Sequence, residues 1–246
     1  MYHIYKNGYS TLPNLRKINN EEVFEKNHDE SLLIQKEKKD ALKNQIFFLE
    51  HDNEPEFYDI CKKFIIENYP YKIVSDNYLD IVKELDEDFI IHRIKHDRDF
   101  MSSAHVCFPS HWTIEDKIGK NFDQIHSPVP MNLKNSQKIV KTMIHNGAFE
   151  RFVWSVCYEE KYNFHPRFIS KKFDIKNPNV CIKVERQVTI GFPEKEFCLF
   201  ILRQYLIKEK DIDKDLLKNS ICQMTSEQKT YKGLEKCNDL LEYLSN

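Results

Sequence analysis

Two long alternating runs, 180–192 and 197–207, flank Pro193-Glu194-Lys195. That pattern predicts an antiparallel hairpin, because apolar residues at every second position give a strand one buried face. In the first arm Ile182, Val184, Val188 and Ile190 share a face, while Lys183, Glu185, Gln187 and Thr189 share the other. Arg186 falls among the apolar set. A buried guanidinium is destabilising unless an anion pairs with it. Either an internal carboxylate, Glu150 or Glu159, or an anionic ligand would meet that demand.

Around the hairpin the period of the sequence changes several times. Residues 89–94, 101–108 and 149–159 read as further strands, the first two joined by a charged turn at 96–99. Helical spacing is expected over 31–50, over 55–68 with Pro55 in its first turn, and over 76–85 with Ser75 as cap. Phe57, Ile60, Cys61, Phe64 and Ile65 form one apolar stripe. A helix over 113–126 follows the second strand, then one over 136–146 that Gly147 closes. The tail predicts two more, 213–224 and 226–244. Residues 1–30 are weakly patterned, with Leu12, Pro13 and Leu15 as possible anchors. The expectation is an α+β fold, a curved antiparallel sheet with helices crossing one face. It divides into an N-terminal helical extension (1–87), a core (88–210) and C-terminal helices (211–246), packed as one unit.

Composition excludes more than it identifies. A net charge of −2 gives no reason to expect nucleic acid or an anionic membrane as partner. The seven cysteines are scattered with no C-x-x-C, so zinc, iron–sulfur and thioredoxin-like motifs are poorly supported. Five glycines leave almost no material for phosphate-cradling loops, and H-E-x-x-H, G-x-S-x-G and G-x-G-x-x-G are absent. The first residues lack the apolar run of a signal peptide, and no stretch approaches membrane-span length, so a reduced cytoplasmic setting is expected.

The densest cue is 107–130, C-F-P-S-H-W-T-I-E-D-K-I-G-K-N-F-D-Q-I-H-S-P-V-P. Ile114, Ile118, Phe122 and Ile125 fall on one face, and His126 sits at its edge on the last turn. Pro128 and Pro130 stop the helix there. A histidine in that place can cap the helix, since imidazolium suits the negative end of the dipole. That is the commoner role on pattern alone; the less common one is to present a ligand nitrogen to a metal. His92, His105, His111 and His165 are competing ligands, each individually better read as structural or exposed. Cys107 lies in an apolar run where a neutral thiol is comfortable.

The runs C-F-P-S-x-W, E-x-K-I-G and I-H-x-P-V-P, with V-E-R-Q at 184–187, resemble the haem-dependent oxidative N-demethylase α-subunit family. The resemblance implies a PAS-like haem-binding core and oxidation of a small secondary amine such as dimethylamine by O2. It implies haem b, held non-covalently because C-x-x-C-H is absent, with His126 as the axial ligand to iron. Electrons would come from NADPH through a reductase-type partner carrying FMN and a 2Fe-2S cluster. Arg186, Glu185 and Arg151 become catalytic candidates, and Arg186 and Trp154 become haem contacts. Alternation sends Glu185 to the strand face opposite Arg186. A second family element, R-x-N-W, reads Arg151-Phe152-Val153-Trp154 here, with Val153 in the polar position. That departure favours the alternative of a non-catalytic haem-binding PAS-type sensor. A cofactor-free scaffold is the third reading.

Overall fold

The hairpin forms the middle of the sheet. In the computed structural model, which describes residues 5, 8–12, 14–25, 31–130 and 136–246, its arms are β6 (Cys181–Phe192) and β7 (Phe197–Ile207). They pair from Ile182↔Ile207 to Phe192↔Phe197, and a 3-10 turn at Pro193–Lys195 closes them. Strand β5 (Phe149–Cys157) pairs with the outer side of β6, in register Phe152↔Arg186. On the other side β3 (Asp88–Lys95) pairs with β7, and β4 (Arg98–His105) with β3. Two short strands close the edges, β1 (Arg16–Lys17) on β5 and β2 (Phe48–Glu50) on β4. The seven-stranded antiparallel sheet has the order β1-β5-β6-β7-β3-β4-β2.

Three expected helices are shorter than their sequence patterns. Helix α1 ends at Asn44 (Ser31–Asn44), and Phe48–Glu50 is strand instead. Gln45 turns the chain there, its amide donating to the carbonyls of Val106 and Cys107. The run 113–126 yields only α4 (Phe122–His126) after a turn. Gly119 adopts φ +73° and its N–H bonds to the Met101 carbonyl, while Met101 N–H bonds to Lys120. Pairing with the sheet thus outcompetes the local helix, and a left-handed glycine is where the chain turns. The tail forms α6 (Lys214–Cys222), α7 (Ser226–Tyr231) and α8 (Asn238–Tyr243), interrupted at Gly233, φ +67°.

Helix α2 (Pro55–Asn68) runs as its pattern predicts, and α3 (Tyr78–Glu84) is capped by Asn77 rather than by Ser75. The two helices bury Phe57, Phe64, Ile65 and Ile81 against Phe89, Ile91, Val188 and Leu199 on one sheet face. Each such side chain contributes about 1.5–3 kcal/mol on leaving water. The tail helices cover the rest of that face over Trp154, Ile182, Val184 and Ile207. The opposite face carries α4 and α5 (Ser136–His145) at one end, so helices lie on both faces and not on one. There Gly191 lets α5 come close: a Cβ on it would lie 2.1 Å from the Ile144 carbonyl oxygen. Leu15 packs at that end, Leu12 is exposed, and Pro13 falls outside the described residues.

Candidate functional site

On that opposite face the sheet stops being covered by helices and meets a cavity of about 280 Å³. Its floor is the odd-numbered set of β5 and β6, Arg151, Val153 and Ser155 beside Lys183, Glu185 and Gln187. Ile90, His92, Met101, Phe200 and Leu202 continue the floor across β3, β4 and β7. Walls come from distant segments: Tyr9 to Thr11, Ser110 to Trp112, the α4 region, and Tyr231 with Lys232. A mostly apolar concavity with a few convergent polar groups is the ordinary form of a small-molecule site, though its volume is at the bottom of the usual range of about 300–1,000 Å³.

His126 lies on the wall as the helix end predicts. Asn121 caps α4 through its side chain and Gln124 reciprocates, which fixes the short helix despite its length. The ring lies against Phe122, tilted by 32° with 4.1 Å between centroids, and Nδ1 lies 2.8 Å from the Phe122 carbonyl oxygen. A carbonyl only accepts, so Nδ1 carries the hydrogen and Nε2 keeps its lone pair. Burial pushes the imidazole down to about 4, so it is neutral at pH 7. Metal-ligating histidines typically have their second nitrogen held by a backbone carbonyl in this way.

The other histidines are placed differently. His92 is bonded to Asp99 at 2.8 Å, and Asp99 also accepts the N–H of Phe122, tying the helix start to the sheet. His111 lines the cavity against Phe164, its basicity lowered by burial. His105 and His165 are buried away from the cavity.

Charge in the cavity is unequal. Glu185 is the one carboxylate among the described lining residues, and it accepts hydrogen bonds from Gln187 (2.5 Å) and Gln204 (2.8 Å). Facing it are Arg151, Lys183 and Lys232. Burial pulls both lysines down to about 8 and lowers Arg151, while Glu185 opposes the shift in each case. Lys183 donates to the Phe108 carbonyl (2.8 Å), and Lys232 sits over the rings of Tyr9 and Tyr231. Burial also raises the Tyr9 hydroxyl.

Among the sequence-predicted residues, His126, Arg151 and Glu185 meet at this cavity, and Val153 is part of its floor. Arg186 and Trp154 do not; their expected places in the site are corrected here. Arg186 shares the sheet face of Val184 and Val188, where Nε donates to Glu150 at 2.8 Å and the guanidinium also donates to the carbonyls of Glu22 and Val23. Glu150 is held from the other side by Arg16 (2.8 Å). The internal partner is therefore the one that satisfies Arg186. Trp154 is a core aromatic, edge-on to Tyr5 at 6.1 Å under the tail helices.

Lys232, Tyr231 and Tyr9 were missed because no local pattern marks them; they reach the site from the two ends of the chain. Lys183 carried a usable signal, since it alternates onto the face of Glu185.

The donors suit a haem. A neutral imidazole lines the space, and four cations, Lys117, Arg151, Lys183 and Lys232, against one carboxylate leave a positive surplus that two propionates would match. At about 280 Å³ the cavity as it stands is too small for a whole porphyrin, and Thr11 Oγ1 closes its rim on the Pro130 carbonyl at 3.2 Å.

A family model described as "Haem-dependent oxidative N-demethylase, alpha subunit-like" matches residues 45–242, most of the chain. No curated protein matches it. Among the described residues no helix is long and apolar enough to cross a membrane.

Proposed function

This chain belongs to the haem-dependent oxidative N-demethylase α-subunit-like family, and from that premise we propose that it binds haem b and demethylates a small secondary amine such as dimethylamine. The observation that carries the proposal is the His126 ring, which lines the cavity and is tied at Nδ1 to the Phe122 carbonyl, so that the lone pair is on Nε2. His126 would hold the iron, with Lys183, Lys232 and Arg151 receiving the propionates. Bound there, the haem would supply oxygen activation, so that dimethylamine, O2, two electrons and two protons give methylamine, formaldehyde and water.

The chain's own residues have simpler tasks. Glu185, fixed by two glutamine amides, would hold the ammonium form of the amine and accept its proton. Arg151 lies beside it, and the carboxylate in turn favours the charged guanidinium. The apolar floor of Ile90, Met101, Phe200 and Leu202 excludes water around the reacting groups. An α-subunit-like chain implies partners; an NADPH-driven reductase with FMN and a 2Fe-2S cluster is the electron source that the reading requires. Two strands, then helices, then three antiparallel strands, with the last strand (β7) set beside the first (β3), support a PAS-like core. A cytoplasmic setting accords with buried free thiols, Cys61, Cys107 and Cys198 among them.

The test is the absorption spectrum of purified protein with haem supplied, for the natural chain and for His126→Ala. The expected result is a Soret band with one haem per chain that His126→Ala loses while its far-ultraviolet circular dichroism is kept. Equal haem binding by the two proteins refutes the assignment. Val153 on the floor favours a second reading, a haem-binding sensor without turnover. NADPH consumption that depends on dimethylamine in the presence of a reductase separates the two.

A further inference from the structure

Away from the cavity, where β3 begins and β4 ends, Asp88, His105 and Cys107 come together. A carboxylate oxygen, an imidazole nitrogen and the thiol sulfur all lie within 4.8 Å of one another, and the three residues are buried. None of them lines the haem cavity. We propose that these three side chains form a zinc-binding site.

His105 carries the inference. It is 1% exposed, and neither ring nitrogen has a hydrogen-bond partner among the described residues. Buried polar groups are ordinarily paired, so an imidazole with both nitrogens unmet, in reach of a carboxylate and a thiol, calls for a ligand. Phe47 packs edge-on against the ring at 5.4 Å and limits its rotation. Burial also keeps the imidazole neutral, the form that binds metal.

The other two groups are already positioned. Asp88 accepts the N–H of Cys107 at 2.8 Å and of Phe108 at 2.9 Å, which fixes its carboxylate beside the sulfur. Each carboxylate oxygen keeps a second lone pair. One oxygen, one nitrogen and one sulfur is a ligand set for zinc, which takes Cys, His and carboxylate in tetrahedral geometry. The thiol gives its proton to solvent as the S–Zn bond forms, and a water molecule completes the shell.

Local charge is compatible with a divalent ion. Asp86, Glu87, Asp88 and a Cys107 thiolate stand against Lys38 and Arg203, which leaves two negative charges. Arg203 is paired with Asp86 at 2.7 Å, and Lys38 donates to the carbonyls of Leu85 and Glu87. Lys183 also acts on Asp88, but the carboxylate that chiefly acts on it is Glu185 in the cavity. Lys38 tempers the affinity, since its charge acts on all three ligands.

Metal analysis of the full chain, purified without chelator and with zinc counted separately from haem iron, is the test. One zinc per chain is expected in the natural protein and in His126→Ala, with more than about a hundredfold loss of affinity in Cys107→Ala, beyond the roughly 10–100-fold that outer-shell changes cause. X-ray absorption of the natural protein should show one sulfur at about 2.3 Å from zinc, a readout that stands even if Cys107→Ala does not fold. A natural chain without zinc, a zinc without a sulfur neighbour, or full zinc retention by folded Cys107→Ala overturns the site.

Discussion

Replacing Arg186 with Leu separates a structural ion pair from a haem contact. In the folded protein Arg186 Nε meets Glu150 at 2.8 Å, and both side chains are about 6% exposed. Removing one partner of a buried pair costs about 3–5 kcal/mol, because the remaining charge stays buried. Two further acceptors, the carbonyls of Glu22 and Val23, lose their donor as well, at about 1 kcal/mol each. Against this, Arg16 still bonds Glu150 from the solvent side, with a side chain 60% exposed. The net expectation is about 3 kcal/mol. With a urea m-value near the top of about 1–3 kcal/mol/M, the unfolding midpoint falls by about 1 M. The m-value itself should hold. Glu150→Leu alone should be comparably destabilising, and the double variant should recover part of the loss, since a packed apolar pair can replace a buried ionic one. Haem stoichiometry per folded chain should stay at that of the natural protein. A stability change under about 0.5 kcal/mol, or haem loss at unchanged stability, refutes the structural assignment of Arg186.

Three other outcomes follow from the same geometry. Gly191→Ala places a methyl against the Ile144 carbonyl of α5 and should cost about 1–3 kcal/mol, read as a melting temperature lower by several degrees. The imidazole of His126 is pulled by burial from the usual 6.5 to about 4, so the unfolded chain binds the proton more readily over that interval. Haem-free protein should therefore lose stability as pH falls from about 6.5 to 4, and His126→Asn should flatten that slope in denaturant melts. Glu185→Gln should leave the haem spectrum in place yet lower amine-dependent turnover by about 100-fold or more, the scale of a general acid–base contribution; unchanged turnover would remove Glu185 from the chemistry.

How far the sequence reaches is clearest on β6. Its alternation placed Arg186 on the buried apolar face and Glu185 opposite, and both placements hold in the structure. What alternation lacks is a statement of which face receives helices and which receives a ligand. The even face of β6 is taken by α2, α3 and the tail helices, so its inward charge is met by protein. The odd face is left open to a cavity, and its charges became the site.

The same limit appears elsewhere. Helix α2, the hairpin and the proline-stopped end at His126 follow from side-chain periodicity and stereochemistry within a few residues, and the chain alone determines them. The helical pattern over 113–126 gave way because Gly119 and Lys120 bond to Met101, a partner no local window contains. Lys232 and Tyr9 meet over the sheet although most of the chain separates them. Spacing along the chain settles what a segment can be. Only the sheet, by bringing remote segments within bonding distance and choosing which of its faces stays open, decided which of those residues surround the cavity.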